Sequence, residues 1–194
     1  LRDITQEKRM ARINEALLRI STALPGYPDL GDLLDYITAE VKRLLNVEGA
    51  IVILLDEVNN ELFFLSAAYD DSATQKRAKK IRYPIEKSLA GKVIKTGQAI
   101  IVLDTSTDPD FYPIVDQKLG YHTRNLLAVP LRSSDRNFGV LLALNKKEGV
   151  FDQSDTELLN MIAGTVGLSV ENARFSDELK AVSYTHLRAH ETKA

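Results

Sequence analysis

The sequence predicts an α+β domain built on an antiparallel sheet. Three observations predict it. Apolar runs of strand length come in pairs joined by short polar turns. Long apolar stripes at helical spacing occupy the two ends of the chain, and only short helical stretches lie between the strands. The chain has 194 residues, 44% hydrophobic and 27% charged, which suffices for one full core of ordinary globular composition.

From the N-terminus, Met10, Ile13, Leu17, Ile20 and Leu24 recur at alternating steps of 3 and 4. That is a narrow helical seam, suited to pairing with another helix. Pro25, Gly26 and Pro28 end it. Leu30, Leu33, Leu34, Ile37, Val41, Leu44 and Leu45 form a broader stripe, predicting a helix that lies on a sheet. Gly49–Leu55 reads as a buried strand, Asn59-Asn60 as a turn, and Glu61–Tyr69 as the returning strand of a hairpin. Asp70–Lys80 is polar and basic, a short helix or a solvated loop; Lys76, Arg77, Lys79 and Lys80 attract an anion or simply face solvent.

Arg82–Ile85 is a short strand. Ser88–Lys95 is a helix closed by Gly97. Ala99–Leu103 is strand-like, and Asp104–Gly120 is an irregular crossing that ends in a short helix, Pro113–Leu119. Asn125–Leu131 and Gly139–Asn145 are two more strands, joined by a tight turn at Ser133–Asn137. A last helix runs from about Asp152 to Ala181. Leu158, Leu159, Ile162, Val166, Val170 and Ala173 stripe one face of it, and Met161, Leu168 and Phe175 recur every seven residues on another. The predicted sum is five or six strands.

Composition bounds the chemistry. Net charge is −2, which gives no electrostatic footprint for nucleic acid or an anionic membrane surface. Cysteine is absent, which removes disulfides, thiolate metal sites, thiol catalysis and thioether-linked chromophores. No apolar run reaches the ~20 residues of a membrane span, and a reducing cytoplasm is the expected compartment. Neither a P-loop, a nucleophile elbow, a dinucleotide-binding glycine string nor a His-rich metal motif is present. Asp104, Asp108, Asp110 and Asp116 sit in a loop segment where solvation accounts for them. No catalytic residue and no metal site are predicted.

The segments LLDYITAEVKRLLN, GAIVILLDE, SLAGKVIKTGQAI, NLLAVPL and FGVLLALNKKEGVFDQSDTELL, in that order, resemble a GAF domain from about Leu30 to Phe175. The resemblance implies a PAS-related, six-stranded antiparallel sheet. Long N- and C-terminal helices would cover one face and pair in a dimer, and short helices would roof a small-molecule pocket on the other. Asn145, Lys146, Phe151 and Asp155 match the Asn-Lys…Phe…Asp-Glu motif of cyclic-nucleotide-binding GAF domains, with Thr156 in place of the Glu. In that family the Lys and Asp are an ion pair bracing the last strand against the last helix, so these four residues are expected to brace the fold rather than touch a ligand.

LRDITQEKR resembles the end of a PAS domain, with Asp3 and Thr5 as candidate helix caps. VSYTHLRAHET, by contrast, resembles the translation of a sequencing-library adapter, which would take His186 and His190 out of any metal-pair argument. The expected organisation is therefore a PAS end and junction over 1–9, a signalling helix and turn over 10–28, the GAF domain over 29–175, the start of a linker over 176–181, and an adapter-derived tail over 182–194.

Candidate ligand contacts are Ser88, Ala90 and Gly91, whose backbone N–H groups open a helix and could meet an anion. Gly91 would permit close approach, although capping alone explains Ser88. Phe111 and Tyr112 would stack on a flat ligand or pack a lid. Tyr121, His122, Thr123 and Asn125 precede a central strand at the expected pocket mouth. No haem, bilin or metal is expected, and a cyclic nucleotide is one candidate ligand. The dimer seam is Met10, Ile13, Leu17, Ile20 and Leu24 with Met161, Leu168 and Phe175. The expected function is a sensor module feeding an output domain, a histidine kinase first, a diguanylate cyclase or an enhancer-dependent transcription activator next. The alternative is a ligand-free dimerisation spacer.

Overall fold

The computed structural model describes residues 4–191, with side chains described through residue 174. Six strands form one sheet: β1 Val47–Asp56, β2 Glu61–Tyr69, β3 Arg82–Pro84, β4 Ile100–Val102, β5 Leu126–Arg132 and β6 Asn137–Lys146. Their order is β3-β2-β1-β6-β5-β4, and every pairing is antiparallel. Helices α1 Ile4–Ala23, α2 Leu30–Leu45 and α6 Gln153–Glu191 cover one face. Helices α3 Ser72–Ala78, α4 Leu89–Thr96 and α5 Pro113–Leu119 cover the other.

The central strands are buried on both faces, so they read as continuous apolar runs, and their alternation divides the two cores. Ala50, Val52 and Leu54 of β1 with Leu127, Val129 and Leu131 of β5 join the core under α1, α2 and α6. Ile51 and Ile53 with Leu126 and Ala128 join the core under the short helices. In β2 the alternation breaks. Val52 pairs with Ser66 and Ile53 with Phe64, so Leu65 is an extra residue in a β-bulge. As a result Leu62 and Phe64 before the bulge and Ala67 and Tyr69 after it all face the short helices. Ser66 turns the other way, donating to Asp35 of α2 at 2.7 Å.

Local chemistry sets the ends of the elements. Asp29 caps α2 by accepting from Asp32 N, and Asn46 closes it at φ 53°. Asp71 caps α3 by accepting from Ala73 N and Thr74 N, which decides Asp70–Lys80 in favour of a short helix. Ser88 caps α4 by accepting from Gly91 N, and Gly97 ends it at φ 68°. Ile85, expected in a strand, instead opens a one-turn 3-10 helix, Ile85–Lys87, since β2 offers partners only to Arg82, Tyr83 and Pro84.

The N-terminal helix, described from Ile4, packs on the domain itself. Ala16 and Ile20 are buried to 0% and 1% exposure in the core, and Ile13 and Leu24 pack at its margin. Ile20, expected on a seam facing a second chain, therefore belongs to this domain's own core. Met10 and Leu18 remain 52% and 69% exposed on α1, and Met161 and Leu168 are 44% and 59% exposed on α6. Leu17 is half-buried. The side chain of Phe175, residues 1–3 with the capping expected of Asp3, and the side chains of the 182–194 tail lie outside the described residues. Among the described residues no helix is long and apolar enough to cross a membrane.

Candidate sensor site and its brace

Between the sheet and the short helices lies a cavity of about 60 Å³. Strands supply its floor through Ile51, Ile53, Phe64, Tyr69 and Tyr83, and the lid supplies Leu89, Ala90, Phe111, Tyr112 and Leu119. The rings make a continuous wall. Phe64 meets Tyr83 edge-on at 6.2 Å between centroids, and Tyr83 meets Tyr112 at 6.1 Å. Arg77 of α3 ties the lid together by donating to Leu119 O of α5 at 2.9 Å.

The structure brings together five of the nine candidate ligand residues: Ser88, Ala90, Phe111, Tyr112 and Thr123 all line the cavity. Tyr121 and His122 lie outside it, in a broad open depression beside Thr105, Gln117 and Gly120. Asn125 lines neither; its side-chain oxygen accepts from Lys146 N at 2.9 Å. Gly91 serves packing rather than ligand approach. A Cβ on it would stand 1.8 Å from Ile85 O, so its missing side chain lets α4 seat on the 3-10 turn. Gly91→Ala is expected to push α4 off that turn and cost about 1–3 kcal/mol, read as a lower urea midpoint at unchanged slope.

Each carboxylate of the acidic crossing has a partner within the domain. Asp104 accepts from Ser106 N and Oγ, Asp108 from Asp110 N, and Asp110 pairs with Lys92. Asp116 accepts from Thr123 N at 2.7 Å and Thr123 Oγ1 at 2.8 Å, fixing the loop 121–125 to α5. Among the described residues no group of three or more His, Cys, Asp and Glu side chains is placed to hold a metal ion.

Asn145 is the hub of this region. It ends β6 at φ 57°, in the left-handed region that Asn tolerates, and its side chain is fully buried. Its Oδ1 accepts from Arg124 N and Asn125 N; its Nδ2 donates to Glu48 Oε2, Tyr121 Oη and His122 O, all at 2.6–3.3 Å. Partial burial works to raise the Glu48 carboxyl, but the hydrogen bonds from Asn145, Arg124 and Tyr121 win and hold it below the usual glutamate range.

Lys146 points to the opposite side of the sheet. Its Nζ meets Asp155 Oδ1 and Oδ2 at 2.9 and 2.8 Å, and lies 5.7 Å from the centre of the Phe151 ring. Asp155 and Asp152 cap α6 reciprocally: Asp152 N donates to Asp155 Oδ2, and Asp155 N to Asp152 Oδ1. Arg12 of α1 also donates to Asp155 Oδ1, at 3.2 Å, and to Leu44 O of α2 at 2.9 Å. One carboxylate thus joins β6, α6 and α1.

A roofed cavity on one face, long terminal helices on the other and a polar joint between them are the parts of a regulatory sensor module. The chain belongs to the GAF domain family, whose model matches residues 28–171. Over 145 residues it is 27% identical to a probable 3',5'-cyclic phosphodiesterase, pde-5, of Caenorhabditis elegans, covering 72% of this chain and 20% of that protein. The chain therefore spans about a fifth of that relative's length. The GAF domain of a phosphoenolpyruvate-protein phosphotransferase from Coxiella burnetii superposes with a TM-score of 0.77 at 17% identity, over 87% of this chain and 98% of that one. The free methionine-R-sulfoxide reductase of Neisseria meningitidis superposes at 0.69 with 22% identity, over 84% and 91%. At these identities the likeness carries the fold alone.

Proposed function

We propose that this GAF domain senses a small molecule in the cavity and passes its occupancy to α6 through the Asn145-Lys146 joint. The observation that carries this is the adjacency of the two residues. Asn145 holds the loop 121–125, whose Thr123 lines the cavity, and Lys146 holds the first turn of α6 through Asp155. A ligand that moves the lid therefore acts on one residue of a dipeptide whose other residue is bonded to the exit helix. Bias between two packings of a helix is enough to carry a signal.

A homodimer through the terminal helices, a cytoplasmic location, a PAS domain upstream and a histidine kinase downstream belong to the same proposal. Exposed Met10, Leu18, Met161 and Leu168 support the dimer. A diguanylate cyclase or an enhancer-dependent transcription activator is the next candidate for the output, and a ligand-free spacer is the alternative to sensing. Sedimentation tests the dimer. Leu168→Asp is expected to convert dimer to monomer, and a wild-type chain that is monomeric at high concentration refutes it. Thermal unfolding in a small-molecule panel tests sensing, because a ligand at 100 times its Kd adds about 2.7 kcal/mol. No stabilisation by any member would favour the spacer.

A further inference from the structure

We infer that the cavity takes a small neutral aromatic molecule bearing one hydrogen-bonding group, received by the hydroxyl of Tyr69, and that it rejects anions. This inference rests on the sensing function proposed above and names the class of ligand.

The hydroxyl of Tyr69 is the strongest pointer. Tyr69 is 5% exposed and lines the cavity, and its Oη has no hydrogen-bond partner. It alone among the buried side-chain polar atoms of the described residues is left so. Buried polar groups are ordinarily satisfied, because an unmet hydroxyl costs free energy that the fold recovers nowhere else. Burial, with the nearby Tyr121, Asp116 and Tyr83, pushes this phenol far above its usual range, so it stays protonated and can donate. The other phenol on the floor, Tyr83, packs its ring against Phe64 and Tyr112.

The walls select the rest of the ligand. Phe64, Tyr83 and Tyr112 present faces and edges at aromatic packing distances, and Tyr121 holds the ring of Tyr69 edge-on at 5.0 Å. No Lys, Arg or His lines the cavity, and its one charged residue is the carboxylate of Asp116. Three basic groups near the lid are committed elsewhere: Lys92 to Asp110, Arg124 to Glu48 and Arg77 to Leu119 O. The amide of Gly91 at the start of α4 is given to Ser88 Oγ. A phosphate or carboxylate entering here would lose its hydration beside a like charge, with no cation to replace it.

Size limits the ligand further. About 60 Å³ is well below the roughly 300 Å³ of the smallest drug-sized pockets, and below the roughly 150 Å³ of a cavity known to accept benzene. The closed cavity is therefore too small for a ring, and half-buried Phe111 and Tyr112 must give way to admit even one.

The test is a four-way comparison by fluorine NMR on the full chain. The probes are 4-fluorophenol and fluorobenzene, and the proteins are wild type and Tyr69→Phe. Methyl signals of Leu126 and Leu142 report whether binding is in the cavity. Wild type is expected to bind 4-fluorophenol about tenfold more tightly than fluorobenzene, the worth of one well-made hydrogen bond. In Tyr69→Phe that preference should vanish, while the Tm of the ligand-free protein rises. Equal binding of both probes to wild type, or an unchanged preference in the variant, overturns the role of Tyr69. Binding of cyclic GMP or inorganic phosphate in the cavity, without binding of 4-fluorophenol, overturns the neutral class and leaves sensing intact. Failure of every probe to enter overturns this inference, while the sensing function is decided separately by thermal unfolding in the small-molecule panel.

Discussion

Asp155→Ala is expected to lower stability by about 3–5 kcal/mol. The Asp155 side chain is only 2% exposed, with Lys146 at 14% and Arg12 at 30%. Removing the carboxylate strands two cations that have little water to turn to, and it also strips the reciprocal cap from α6. Urea unfolding checks the magnitude. Adding Lys146→Met should restore part of the loss, because it removes the buried charge left alone. The contrast is Lys92–Asp110, with side chains 53% and 49% exposed. Asp110→Ala there should cost under about 1 kcal/mol. A loss at Asp155 no larger than the loss at Asp110 would show that the brace contributes little.

The second large effect is expected at Asn145. Asn145→Ala should cost about 3–5 kcal/mol, from bonds to loop and strand worth about 1 kcal/mol each and a left-handed backbone that disfavours Ala by about 1–2 kcal/mol. The amides of Arg124 and Asn125 lose their acceptor, and Glu48 loses a donor. Hydrogen exchange separates this from general loosening. The amides of Arg124 and Asn125 should exchange far faster in the variant, while those of α2 slow or quicken only with global stability. Unchanged protection at 124–125 would mean that the loop is held by something other than Asn145.

Much of this architecture was legible in the chain because its signals are local. The helical stripe from Leu30 to Leu45, the hairpin strand Glu61–Tyr69 and the Pro113–Leu119 helix fall where spacing and turn residues put them. Asn145, Lys146, Phe151 and Asp155 match one short family motif, and the resemblance implied the Lys146–Asp155 contact. Less legible was anything set by distant partners. Gly91 looks like a ligand contact until Ile85 O is seen beneath it. The seam on α1 looks outward until α2 and α6 are packed on it. Tyr69 was missed as a site residue for a specific reason. Strict alternation along β2 puts it on the face of Phe63, and only the extra residue at Leu65 turns it towards Phe64 and the cavity. Arg12, separated from Asp155 by 143 positions, gave no sequence signal at all.

The attachment of α1 separates two things usually treated as one, the unit of homology and the unit of folding. The family match begins at residue 28, after α1 has ended. Yet α1 contributes Ala16 and Ile20 to the core, and Arg12 to the carboxylate shared by β6 and α6. A chain trimmed to the matched residues would open an apolar trench along α2 and α6 and leave Asp155 with one cation fewer. Its smallest autonomous piece is therefore longer than its recognisable one, and the helix that precedes the family's border is structurally inside it.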